Sequence, residues 1–225
     1  MRRLPIVLLV LACAGCDTSP LRDAEDLTRY AVPGTVTALD LRGGSGAVEI
    51  VAVEGPLRVQ ERRLYADLPP LTSHRVEDGT LYLVDRGCGK KADAAGQCET
   101  HYRVEAPPGI AVTVQVGTAP VTLTGITGPV QVTTEVGAIT GSGMAGATKA
   151  STSVGDIELR YAAPPSAVDV TNDVGATRVY LPAAGAYRIE AKTDAGAVVD
   201  LPSRPDAANK ITVRASTGEI TVGPA

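Results

Sequence analysis

The chain has 225 residues, of which 44% are hydrophobic, with a formal charge of -4, seven Tyr and neither Phe nor Trp. That length serves one sizeable domain or two small ones. The missing rings exclude an aromatic stacking platform for single-stranded nucleic acid, and the negative charge excludes a general phosphate-binding surface, so no nucleic-acid partner is expected. With only His74 and His101, imidazole catalysis and His-rich metal sites are poorly supplied. The apolar content rests on Val, Ile, Leu and Ala, which points to β-structure with small side chains.

The N-terminus reads as an address. Met1-Arg2-Arg3 is a short basic region and Leu4 to Ala14 an apolar one of signal-peptide length, too short for the roughly 20 residues a bilayer span needs. Small residues then lead into cysteine in Ala12-Cys13-Ala14-Gly15-Cys16, which resembles the bacterial lipobox. Residues 1–15 are therefore expected to be a lipoprotein signal peptide and Cys16 the lipidated residue, with Cys13 as the alternative and an ordinary secretory signal as the plainer reading. The expected location is outside the cytoplasm, on the outer face of a bacterial membrane, held there by lipid. Residues 16–34 then read as a polar tether closed by Pro33-Gly34, reaching about 60 Å when extended. Leu21 to Tyr30 shows only weak helical spacing.

Residues 35–223 are expected to form one domain. Its first part is irregular: Val76 to Leu83 reads as a hairpin with Asp78-Gly79 as its turn. Cys88 and Cys98 flank a polar loop, and export favours a disulfide between them, worth about 3 kcal/mol. A metal site is the rival, but two cysteines without paired ligands make a poor one.

From there the dominant signal is an internal repeat. Gly46, Gly117, Gly137, Gly155, Gly175, Gly196 and Gly218 align, and the residues seven, five and one before each, and two after, are mostly apolar. This is a period of two with one buried face. The parity changes at the glycine, so each unit of about 20 residues reads as strand, glycine corner, strand. Such units bury a face only by stacking, which predicts an all-β, β-solenoid-like stack; an antiparallel sandwich is the rival. Three before the corner glycines from Gly117 onward stand Val114, Thr134, Thr152, Asn172, Thr193 and Ala215. Inward parity with polar groups predicts a Thr/Asn ladder hydrogen-bonded along the stack.

At Tyr102 to Val114, Val130 to Gly141, Ser151 to Leu159 and Ala215 to Val222 the chain resembles the bacterial putative-adhesin family of unknown function, whose members share a Gly-spaced β-repeat. The resemblance spans residues 36–223. It implies a β-solenoid-like domain in a cell-envelope protein and transfers no catalytic residue. Some relatives take part in envelope-stress signalling.

Catalytic groups are not evident in the pattern. Glu135, Asp173 and Asp194 fall in one outward column, with Asp156 and Glu219 just past the corner, and read as a solvated face; a calcium or sugar site is the alternative. His101 lies three residues past Cys98, and a Cys/His site there would need reduced thiol. Ser151 and Ser153 have no His in phase. Arg58, Arg62 and Arg63 form a basic cluster, and Lys90 and Lys91 lie in the Cys loop; both read as solvated, with anionic wall polymer or lipid headgroups as alternatives. The expectation is a lipid-anchored, non-catalytic binding, adhesin-like or structural module, without cofactor or metal, whose partners are the membrane and a cell-wall polymer or envelope protein. An envelope-stress regulatory component that binds a membrane protein is the first alternative, and a carbohydrate-active β-helix enzyme the second.

Overall fold

The computed structural model describes residues 24–89 and 97–225. The signal-like segment, Cys13, Cys16, Lys90 and Lys91 lie outside the described residues. The irregular first part contains β1 (Ala24–Ala31), β2 (Ala38–Ala52), β3 (Arg58–Tyr65), β4 (Thr72–Glu77), β5 (Thr80–Asp85) and β6 (Cys98–Ala106). The repeats follow as strand pairs: β7 (Ala111–Thr118) and β8 (Val121–Thr124), β9 (Val130–Val136) and β10 (Ile139–Met144), β11 (Thr148–Val154) and β12 (Ile157–Tyr161), β13 (Ala167–Val174) and β14 (Thr177–Leu181), β15 (Tyr187–Lys192) and β16 (Ala197–Val199), β17 (Asn209–Thr217) and β18 (Ile220–Pro224).

Each repeat is one rung: a leading strand, a corner, and a trailing strand. Leading strands stack in the order β4-β5-β2-β7-β9-β11-β13-β17-β15. Trailing strands stack as β1-β3-β6-β2-β8-β10-β12-β14-β18-β16. All these pairings are parallel except β4–β5, β1–β3 and β3–β6, which are antiparallel. The long strand β2 turns its own corner and contributes to both sheets. The fold is an all-β solenoid, with rungs about 4.8 Å apart.

The core lies between the two sheets. On the leading side Leu39, Val112, Val130, Val168 and Ile211 repeat one above another, and on the trailing side Ile50, Leu123, Leu159, Val179 and Val222; all are buried. Each such aliphatic side chain contributes about 1.5–3 kcal/mol by leaving water. The hairpin forms as expected. Glu77 pairs with Thr80, and Asp78 and Gly79 both take positive φ, at 49° and 73°, as the mirror-image two-residue turn requires.

Four expectations are corrected. First, residues 24–31 are not tether or helix but strand β1, paired with β3 from Ala24↔Tyr65 to Ala31↔Arg58. Alternation of Asp26, Thr28 and Tyr30 with Glu25, Leu27 and Arg29 suits a strand covering the end of a sheet. Second, the rungs do not stack in chain order. The Gly218 rung sits between the Gly175 and Gly196 rungs, and β2 sits between the β5/β6 and β7/β8 rungs.

Third, Gly117 is not in the glycine column. Val121 pairs with Ile139, so this rung is slipped by two residues and Ala119 occupies the corner. Accordingly Val116, not Val114, pairs with Thr134. Fourth, the valines one before the glycines do not point inward. Val136, Val154 and Val174 are 46%, 48% and 49% exposed. The last inward residue of each leading strand is the one three before the glycine, and the two between are both exposed.

Candidate functional site

The repeated corners form one long edge of the solenoid, and its chemistry follows from the glycines. Gly155 takes a φ of 151°, and a Cβ placed on it would lie 2.2 Å from the Gly137 carbonyl oxygen of the rung below. Gly175 stands in the same relation to Gly155, at 2.0 Å. Glycine is required at these corners by close backbone approach as well as by conformation.

The parity change takes the corner carbonyl out of the sheet hydrogen bonds. No backbone donor reaches the oxygens of Gly137, Gly155 or Gly218 among the described residues. The ladder side chains supply the bond instead. Thr152 Oγ1 donates to Gly137 O at 3.1 Å, Asn172 Nδ2 to Gly155 O at 3.0 Å, and Thr193 Oγ1 to Gly218 O at 2.7 Å. In the slipped rung Thr134 Oγ1 reaches Ala119 O at 3.1 Å. The expected Thr/Asn ladder is therefore present, and each member bonds a corner carbonyl one rung away rather than the next ladder side chain.

Outside the glycines the edge shows two stripes. Val136, Val154 and Val174 are in register and exposed, an apolar ridge. Beside it runs the column Glu135, Ser153, Asp173, Ser216, Asp194, in which the interposed Gly218 rung makes acid and serine alternate. Neighbouring carboxylates are thus two rungs, about 10 Å, apart along the stack. That spacing relieves like-charge repulsion and cannot gather the several oxygens at 2.3–2.6 Å that calcium takes. A general acid is made by burial or a like-charge neighbour, and these exposed carboxylates have neither.

The remaining candidates resolve individually. Cys88 and Cys98 form a disulfide with Cα atoms 6.0 Å apart, so no thiolate is available to a Cys/His site; His101 Nε2 lies 3.1 Å from Glu99. In the rung that carries the disulfide, the glycine corner is replaced by the longer passage from Asp85 to Cys98. The basic cluster is neutralised pairwise: Arg58 with Glu105 at 3.6 Å, Arg62 with Glu25 at 2.7 Å and Arg63 with Asp26 at 3.5 Å. Gly46 and Gly196 have left-handed φ values of 137° and 106°, but a Cβ on Gly196 would meet nothing within 4 Å.

The end of the stack bearing β1 carries a polar, aromatic inner face that sequence reasoning did not single out. Tyr30 stacks on His74 with ring centroids 4.3 Å apart and donates to the buried Glu61 carboxylate at 2.6 Å. Burial, followed by that hydrogen bond, pushes the Tyr30 phenol far above its usual range. Burial does the same to Tyr102, with the charges of Glu61 and Asp85 adding to it. The signal was available as inward-parity polar residues on β1 and β3, but it is visible only once β1 is known to be a strand.

No protein-family model matches the chain, and no curated protein matches it. Solved structures similar to it include a putative cell adhesion protein from Clostridium sporogenes, 17% identical with a TM-score of 0.48, over 91% of this chain and 100% of that one. A putative adhesin from Bacteroides fragilis is 14% identical with a TM-score of 0.49, over 90% of this chain and 98% of that one. A putative adhesin from Parabacteroides distasonis is 10% identical with a TM-score of 0.37, over 90% and 97%. All three neighbours are named as bacterial putative adhesion proteins or adhesins.

Proposed function

We propose that this protein is a lipid-anchored, non-catalytic binding module displayed on the outer face of a bacterial membrane. The observation that carries the binding role is the corner edge, where Val136, Val154 and Val174 stand exposed at one-rung intervals beside the alternating acid and serine column. A regular, partly apolar surface suits an extended partner such as a wall polymer or a strand of an envelope protein. The anchor rests on the cysteine at position 16 and its small neighbours. Because β1 begins at Ala24, covalent reach from Cys16 to the domain is at most about 27 Å, so the β1 end is held close to the membrane.

Two measurements test this. Cys16→Ala is expected to lose the acyl label and move the protein from the membrane to the soluble fraction; retention of both removes the anchor. The soluble Cys16→Ala chain is expected to co-sediment with isolated envelope material, and the triple change of Val136, Val154 and Val174 to Ser to reduce that binding. Equal sedimentation of the triple variant removes the corner edge as the binding surface.

A further inference from the structure

The ladder column lacks a polar side chain at Ala215, at Val116 and at Gly43 of β2, and a groove enters at Gly43. Register carries the column from Thr152 through Thr134 and Val116 to Gly43 of β2 and then to Asp85 of β5. Where four other rungs place a threonine or asparagine, and the adjacent rung places Val116, β2 has no side chain. Nothing in the backbone demands glycine at this position. Gly43 has no positive φ, and a Cβ there would meet Asp85 Cβ at 3.7 Å and Val116 Cγ1 at 3.8 Å, ordinary contacts. The next residue, Gly44, is equally unconstrained, since a Cβ there meets nothing within 4 Å. What the two glycines do is leave room.

The room is polar. A cavity of about 10 Å³, the size of one water-sized group, is walled by Gly43, Ser45, Asp85, Thr100 and Tyr102 among others. Thr100 and Tyr102 are only 2% and 3% exposed, and neither Thr100 Oγ1 nor the Tyr102 hydroxyl has a hydrogen-bond partner among the described residues. Buried hydroxyls left without partners are uncommon and costly. The cavity shares Gly43, Gly44, Ser45 and Asp85 with an open groove of about 420 Å³, whose other wall is Arg86, Gly87 and Cys98. That wall is stiffened by the disulfide and by the Gly87 amide donating to Asp85 Oδ1 at 2.8 Å. The volume is in the range of small-molecule sites. Among the described residues the groove carries one carboxylate, Asp85, and one guanidinium, Arg86.

We propose that this corner is a binding site for a neutral sugar residue, one of whose ring hydroxyls enters the gap at Gly43. There it takes the place that a ladder hydroxyl holds in other rungs, bonding Tyr102, Thr100 and Asp85, while Ser45 and Arg86 meet the outer hydroxyls. The site gives a ligand class to the binding-module reading and rests on it.

The test titrates the full Cys16→Ala chain with the methyl glycosides of glucose, galactose, mannose and N-acetylglucosamine, followed by saturation-transfer NMR and calorimetry. At least one is expected to bind saturably in the millimolar range. Gly43→Ser, which places a hydroxyl in the gap, is expected to abolish that binding without lowering Tm, and Tyr102→Phe to weaken it about 3- to 10-fold. Ala215→Ser, in the same column five rungs from the groove, is expected to leave it unchanged. No binding by any glycoside at about 50 mM, or binding indifferent to Gly43→Ser, overturns the proposal. So does equal binding of methylammonium, which would show that Asp85 selects charge. If no glycoside binds while the chain still co-sediments with envelope material, the site fails and the binding module stands; loss of both removes the module as well.

Discussion

Thr152→Val is the sharpest probe of the corner ladder. Valine keeps the shape and the β-branch of threonine and removes only the hydroxyl. Thr152 is buried, and its Oγ1 donates to Gly137 O at 3.1 Å. That oxygen receives no backbone hydrogen bond among the described residues, so the substitution leaves a half-buried acceptor without a protein donor. An unsatisfied buried group costs about 1–3 kcal/mol, more than the roughly 1 kcal/mol net value of the bond itself. For a chain of this size each kcal/mol moves Tm by about 2–4 °C, and a half-buried acceptor falls at the lower end of that energy range, so a fall of about 2–4 °C is expected. Thr152→Ser retains the donor and loses one methyl, and is expected to fall by less. The reverse experiment is Ala215→Thr. Ala215 occupies the ladder position above Asn172, and Gly175 O beneath it has no backbone donor among the described residues. Supplying the hydroxyl is expected to raise Tm by about 2–4 °C. Thermal melts followed by circular dichroism decide the matter. A Thr152→Val protein as stable as the parent, or Ser destabilising more than Val, would refute the claim that the ladder exists to satisfy corner carbonyls.

Three further outcomes are expected. Gly155→Ala forces a Cβ onto the Gly137 carbonyl at a φ of 151° and should prevent normal folding or lower Tm severely, whereas Gly117→Ala, with its Cβ 3.1 Å from Gly44 O and no left-handed φ, should be far milder; equal effects in melts would remove the column argument. Reduction of Cys88–Cys98, separated by 10 in sequence, should cost about 3 kcal/mol, read as a Tm difference between oxidised and reduced protein that disappears in the Cys88→Ser/Cys98→Ser double variant. Tyr30, Tyr102 and Tyr161 all have phenols raised chiefly by burial. A raised folded-state value means that this stabilisation is complete below the ordinary phenol value of about 10 and is lost as pH climbs beyond it. Ultraviolet titration should therefore show these tyrosines ionising only with unfolding, and ionisation of all seven while the far-ultraviolet spectrum stays native would contradict it.

Much of the fold was legible because a strand with one buried face writes a period of two, and a corner that reverses parity writes a glycine. The Thr/Asn ladder was legible for the same reason, since inward parity with a polar side chain leaves few alternatives. The order of the rungs was not. Parallel pairing of nearly equivalent units is satisfied by either neighbour, so exchanging the Gly196 and Gly218 rungs leaves every inward residue inward. The slip at Gly117 was hidden similarly, because Ala119 and Val121 share the parity of the residues they displace. The exposed valines were misread because corner geometry, not hydrophobicity, decides where the strand turns. The groove at Gly43 was invisible in the pattern: a glycine in Gly43-Gly44-Ser45-Gly46 looks like one more turn residue until register puts it in the ladder column.

The rung order also decides which surfaces can meet a partner. The last rung in sequence, β17/β18, lies one step in from its end of the stack, inside β15/β16, whereas the first described strand, β1, is outermost at the other end. At the β1 end, antiparallel β1, β3 and β4 close the parallel stack, and the inward-facing Asp26, Thr28, Glu61 and His74 make its inner face polar. An edge of that kind resists addition of another apolar strand. At the opposite end the outer side of β15 is met by the chain itself, through Arg204 N to Tyr187 O at 2.8 Å and Ile189 N to Ser203 Oγ at 2.9 Å. Growth of the stack by further copies is thus opposed at the β1 end and along β15, which leaves the short strand β16 as the uncovered parallel edge there. The long sides remain, and of these the corner edge combines an apolar ridge, a spaced acidic column and an interrupted ladder.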